Sequence, residues 1–310
     1  MCVLLLPKLL LPFASQVGGI PSANHRPALP RDTLNALKPQ VDELRILNTS
    51  DTGALLQARV NFTNPTPYTA AIPYFSAHIL TNGSMIGEAF ARDVVLGLGN
   101  NTNNMIQVTW DPTSFGGEKA HQASQRLLSE YLSGKNTTLE LKTHNGSFPS
   151  MPLLGEAFAK LNFTVPTPRM QLPGDDGDGD GDEEGDAPGM HFIRAATFHI
   201  FSSTASFTLA SPLHYNTIYL EHINATAFYN HTEPVGQIIT DDAFPAPPGL
   251  SQTPRLPVQW SPSHVGYDKL KEALGGGLKL DAVANVTIRM GNWVEQIQYE
   301  GKGIGAKVSI

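Results

Sequence analysis

The sequence predicts a mainly β protein made of two tandem immunoglobulin-like β-sandwiches, each with one helix. Three observations predict it. A pair of motifs occurs twice at nearly equal spacing, the segments around each motif alternate apolar and polar residues with a period of two, and late in each copy the period changes once to that of a helix. In the first copy Asn64-Pro65-Thr66-Pro67-Tyr68 precedes Val108-Thr109-Trp110-Asp111-Pro112, and in the second Ser211-Pro212-Leu213-His214-Tyr215 precedes Val258-Gln259-Trp260-Ser261-Pro262. Pro65 lies 45 residues before Trp110 and Pro212 lies 48 before Trp260, which marks these four as anchors of a repeated domain.

The elements follow in order. Leu56, Ala58, Val60 and Phe62 alternate with polar neighbours, as do Ala205, Phe207 and Leu209, so each copy starts with a half-buried strand. The proline after each strand lacks a donor and ends the ladder. Extended aromatic stretches follow, Tyr74 to Leu80 and Ile218 to Tyr229, each closed by a turn: Thr81-Asn82-Gly83 in the first copy, a strong hairpin signal, and Asn230-His231-Thr232 in the second. After the tryptophan strand, Ala120, Ala123, Leu127, Leu128 and Tyr131 recur at helical spacing and stop at Gly134. Tyr267, Leu270, Lys271 and Leu274 form a shorter amphipathic segment ending at Gly275. Two strand-like runs close each copy, Thr138 to Lys142 with Ala157 to Val165, and Ala282 to Met290 with Val294 to Ile310. Six or seven strands with one helix in roughly 120 to 140 residues suit a sandwich of immunoglobulin size.

An alternating strand ending in Asn64-Pro65, an aromatic strand, Asn82-Gly83 with Ile86-Gly87 just beyond, a Val108-x-Trp110 strand and one late helix resemble the late-embryogenesis-abundant type 2 domain. The tandem with its glycosylation sequons is similar to a fungal family of large vacuolar-membrane proteins built from such domains, one yeast member of which is linked to the termination of autophagy. The resemblance covers residues 40 to 310. It implies β-sandwich domains without catalytic residues, a fungal vacuole-membrane location on the lumenal side, and protein partners at that membrane. The second copy departs from the pattern in carrying Ser211 where the first carries Asn64.

Composition places the copies along the chain. Hydrophobic residues make up 41%, enough for two cores, and no run of 18 apolar residues is present to span a bilayer. Lys and Arg number 21 and Asp and Glu 28, but eight of the acids fall between Gly174 and Gly189, so the rest of the chain is nearly neutral. Without a clustered basic face, nucleic acid is excluded as a partner. The Gly/Asp tract cannot bury apolar area and reads as a solvated linker. Asp176, Asp178, Asp180 and Gly181 match the first half of a calcium loop, but its twelfth position falls on Ala187 where a bidentate Glu is required, and Pro188 follows. The expected organisation is an apolar, flexible N-terminal segment over 1–30, a first sandwich over 31–168, the acidic linker over 169–189 and a second sandwich over 190–310. Residues 1–15, interrupted by Pro7 and Lys8, read as the core of a secretory signal or as part of a longer chain.

Ten Asn-x-Ser/Thr sequons, at Asn48, Asn61, Asn82, Asn100, Asn136, Asn145, Asn162, Asn224, Asn230 and Asn285, exceed the roughly three to five expected by chance from so loose a motif. They favour a glycoprotein of a secretory-pathway lumen, with a secreted protein as the alternative. The single Cys2 argues weakly against an extracellular role and less against a vacuolar one.

Signals for chemistry are few. The ten histidines include no His-x-His or His-Glu-x-x-His pair, and no nucleophile elbow, phosphate loop or Cys-His signal occurs, so no catalytic residue, cofactor or metal site is expected. Gly87-Glu88-Ala89-Phe90-Ala91 recurs as Gly155-Glu156-Ala157-Phe158-Ala159, which reads as repeated strand geometry and not as paired acids. Trp110 and Trp260, flanked by Val108 and Val258, read as core anchors. The expected function is therefore a non-catalytic structural or interaction module. The alternative is a sandwich that binds a lipid or other apolar ligand between its sheets, and a secreted hydrolase stands last, since no motif supports one.

Overall fold

The computed structural model describes residues 40–64, 69–150, 162–167, 191–261 and 278–309. They form two compact units. The first comprises Met1–Asn48, Gly53–Ala120 and Thr138–Pro168, and the second Thr49–Thr52, His121–Thr137 and Arg169–Ile310. Each is a β-sandwich. The linker over 169–189, the N-terminal segment over 1–30, Pro65, and the helix expected at Tyr267 to Leu274 lie outside the described residues.

The first unit's strands are linked in one hydrogen-bonded series of seven: β1 (Gln40–Ser50), β2 (Gly53–Asn64), β3 (Ala70–Thr81), β4 (Ser84–Leu96), β5 (Gly99–Trp110), β6 (Thr138–Lys142) and β7 (Asn162–Pro166). Their order in space is β1-β2-β5-β4-β3-β6-β7. Alternation turns one face of each strand inward, so Phe75 and Ile79 of β3, Ile86 of β4, Ile106 of β5 and Leu139 and Leu141 of β6 meet in one core and are fully buried. The β3–β4 connection is the expected tight hairpin. Asn82 (φ 49) and Gly83 (φ 70) both adopt the left-handed conformation that a two-residue turn demands and that Asn and Gly tolerate.

The helical segment α1 (Pro112–Leu132) starts where β5 ends and is kinked at Gly117, whose φ of 64° is not helical. Asp111 caps it by accepting the Ser114 N–H at 3.1 Å, and Pro112 occupies the first turn, where no amide is needed. At its far end Gly134 (φ 72) donates to the Tyr131 carbonyl and Lys135 to that of Glu130, the paired bonds of a glycine C-cap.

The second unit repeats the plan. Its strands are β8 (Ile193–His199), β9 (Thr204–Ser211), β10 (Ile218–Tyr229), β11 (Glu233–Thr240), β12 (Phe244–Ala246), β13 (Gly249–Gln252), β14 (Leu256–Pro257), β15 (Gln259–Trp260), β16 (Leu278–Met290) and β17 (Trp293–Ser309). As β3 pairs with β4 and β6, so β10 pairs with β11 and β16. Asn230 (φ 47) and His231 (φ 68) make the β10–β11 turn in the way Asn82 and Gly83 make theirs. The counterpart of the long β5 is broken into β13, β14 and β15, because Pro254 and Pro257 cannot donate to a ladder. Its pieces still bridge the same neighbours: β13 and β14 pair with β9, and β15 pairs with β11. At the other side β17 pairs in parallel with β8, so the strands return on themselves around one interior.

One junction is reproduced bond for bond. Trp110 stands opposite Gly87, and the next residue, Asp111, donates its N–H to the Ile86 carbonyl at 3.2 Å. Trp260 stands opposite Gly236, and Ser261 donates to the Val235 carbonyl at 3.1 Å. Glycine is required in the first case, since a Cβ on Gly87 would lie 2.4 Å from the Thr109 carbonyl oxygen.

Candidate functional site

In the second unit the registers align residues with little side chain. Gly236 of β11, Ala227 of β10, Ala282 of β16 and Gly301 of β17 form one cross-strand row, and Ile238, Ala225, Ala284 and Tyr299 form the next. A methyl group reaches only a short way into a sandwich about 10 Å thick. The volume that larger residues would fill is left as a cavity of about 100 Å³. Phe192, Phe198, Phe207, Leu220, Ile288 and Ile297 supply much of the wall, with Leu132 of α1.

The wall carries almost no polar surface. Thr253 faces it but is engaged, its hydroxyl donating to the Pro254 carbonyl at 2.8 Å and accepting the Phe207 N–H at 3.0 Å. Tyr299 is different. It is 4% exposed, and its hydroxyl has no hydrogen-bond partner of normal geometry, although the Ile193 amide acts on it. Burial pushes its acidity far down, so the phenol stays protonated and its proton is available to an acceptor.

Near this interior the end of α1 lies along β17. Ser129 and Ser133, one turn apart, accept the N–H groups of Gln298 and Glu300 at 3.1 and 2.9 Å, and the Gln125 amide donates to Glu295 at 3.0 Å. Glu295 is buried, with His121 3.7 Å away, and burial raises its carboxyl above the ordinary carboxylate value.

The residues singled out in the sequence are scattered over both units. Of the ten sequon asparagines nine are exposed and Asn61 is half-buried, so their side chains are largely accessible to a glycosyltransferase. Asn224 and Asn285 are direct partners across β10 and β16, which places two sequons side by side on one face. Trp110 is 5% exposed, while Trp260 is half-buried with its ring edge-on to Phe198 at 5.3 Å. Pro212 directly follows β9, and Asn64 and Ser211, the residues before the two prolines, are both buried. Glu88 lies within β4, and Glu156 lies outside the described residues. Sequence reasoning missed the alanine and glycine rows. Their signal, small residues at alternate positions of β10 and β16, becomes a site only once the register places them opposite one another.

Residues 37–155 match the family described as the Tag1-like fourth LEA-2 like domain, and residues 185–298 match the Tag1-like fifth LEA-2 like domain. The chain is a tandem of LEA-2-like domains. No curated protein matches the sequence. The late-embryogenesis-abundant type 2 resemblance drawn from the motifs is thus borne out at the level of the domain, and LEA-2-like domains are in general non-enzymatic modules. Among the described residues no helix is long and apolar enough to cross a membrane.

Proposed function

We propose that this tandem of LEA-2-like domains is a non-catalytic structural and interaction module on the lumenal side of a fungal vacuolar membrane, where it binds protein partners and is connected with autophagy regulation. The observation that carries the reading is the display of sequons: ten are present, and nine of their asparagines are exposed. A lumenal protein is the kind that meets the glycosylation machinery. Tagging the full-length gene product in its own host and locating it by microscopy tests the reading. A signal at the vacuolar rim is expected, and a cytosolic signal would contradict it.

A second reading, that the second sandwich takes up an apolar ligand, is favoured by the cavity and by Tyr299. At about 100 Å³ the cavity is smaller than the ~300 Å³ at which sites for drug-sized ligands begin. It suits the end of an acyl chain or a small apolar molecule better than a whole lipid. The Tyr299 proton would orient a carbonyl or carboxyl oxygen on that molecule. Native mass spectrometry of protein purified without detergent, followed by organic extraction, tests this reading, with a bound apolar compound as the expected result.

A further inference from the structure

In the first unit three residues from three elements converge: His78 of β3, Glu88 directly opposite it on β4, and His144 in the turn after β6. Their donor atoms all lie within 4.8 Å of one another, and all three residues are half-buried. The histidine rings stack at 4.2 Å with an interplanar angle of 17°. His144 Nε2 lies 3.2 Å from Ser76 Oγ and 3.6 Å from a Glu88 carboxylate oxygen.

The turn is held by its own bonds. His144 donates its backbone N–H to Ser147 Oγ at 2.8 Å, Ser147 donates to the His144 carbonyl at 2.9 Å, and Ser76 of β3 donates to the Ser147 carbonyl at 3.0 Å. Phe148 then buries its ring against Phe75 at 5.0 Å. His144 is therefore fixed beside the hairpin by packing that does not depend on its imidazole.

We infer that His78, Glu88 and His144 form a site for a divalent transition-metal ion of the zinc type. Two imidazoles and one carboxylate are the donor set such ions favour, whereas calcium and magnesium seek mostly oxygen. Zinc at about 2.0–2.2 Å from each donor sets tetrahedral donors about 3.4 Å apart, so loading draws the three together by roughly 1 Å. Stacked rings point their lone pairs side by side, and one ring turns about its soft χ2 torsion to share an ion. Burial, and then His144 and Lys142, hold the His78 imidazole below its ordinary basicity against the pull of Glu88. The Gly146 N–H donates to His144 Nδ1 at 3.1 Å, leaving the neutral ring's proton on Nε2. An ion bound at Nε2 requires that proton to move to Nδ1, at the loss of the Gly146 bond. The ion would join the β3–β4 hairpin to the turn after β6.

The test is calorimetric titration of the chelator-treated full chain with zinc chloride near neutral pH, with calcium chloride as the control ion. One saturable zinc ion per chain is expected at this site. Its affinity should fall at least ~tenfold in His78→Ala and in His144→Ala, a loss no smaller than that from removing a supporting residue around a metal. Calcium should give no comparable signal. If either alanine variant loses its β-sheet circular dichroism, Glu88→Gln replaces it with the same expected loss. No saturable zinc binding, or zinc binding of unchanged affinity in the folded variants, would overturn the inference.

Discussion

Ala284 lies on β16 between Ala225 and Tyr299 in the cross-strand row, is 4% exposed, and lines the cavity of the second unit. Replacing it with Leu puts three further carbons into that space. Two routes to the magnitude agree. Left empty, a cavity of 100 Å³ costs about 2.4 kcal/mol at ~24 cal/mol per Å³, and three buried carbons return about 2.4 kcal/mol at ~0.8 each. Imperfect fit takes back ~1 kcal/mol or more, so Ala284→Leu should stabilise the second unit by about 0.5 to 1.5 kcal/mol. Urea unfolding followed by circular dichroism and tryptophan fluorescence measures this, with the transitions of the two units fitted separately. The same substitution should abolish uptake of a fluorescent fatty-acid probe. Destabilisation by more than about 1 kcal/mol together with undiminished probe uptake would refute the account of the cavity as the ligand site.

Two further outcomes concern stability. Trp110→Ala should cost about 3 to 5 kcal/mol, because the ring is 5% exposed, and the half-buried Trp260 should cost less, with denaturant midpoints of the two units as the readout. Glu295→Gln should leave the protein at least as stable as the parent at neutral pH. An acid raised in the fold penalises the native state fully above its folded pKa, and the penalty fades as pH falls through that value toward the ordinary 4.5, so the advantage should shrink on acidification when urea midpoints are followed against pH.

Much of the fold was legible because it is written in local signals. The stretch Ile218 to Tyr229 coincides with β10 and Thr138 to Lys142 with β6, since alternation over five or more residues has few other solutions. Asn82-Gly83 and Asn230-His231 announced turns through residues that tolerate positive φ. Pro212 directly follows β9, as a residue that cannot donate to the ladder ends a strand. What escaped was β1 and β8, where residues such as Arg45 and Arg194 interrupt the apolar pattern and the strand is defined by its neighbours. The splitting of the β5 counterpart also escaped, although Pro254 and Pro257 stood in the sequence as its cause. The sites were the least legible. An alanine row is silent until four strands are registered against one another, and His78, Glu88 and His144 are too far apart in sequence for any spacing rule to join them.

The central claim, a lumenal module that displays its sequons, is tested most directly by glycopeptide mass spectrometry of the full-length gene product taken from its own host's membranes. Glycans are predicted at several exposed positions, Asn82 and Asn230 among them, because both lie in turns with room for an oligosaccharide. Asn224 and Asn285 should be found singly occupied on most molecules, since strand partners about 5 Å apart leave little space for two glycans. Unmodified peptides at all ten sequons would contradict the lumenal placement.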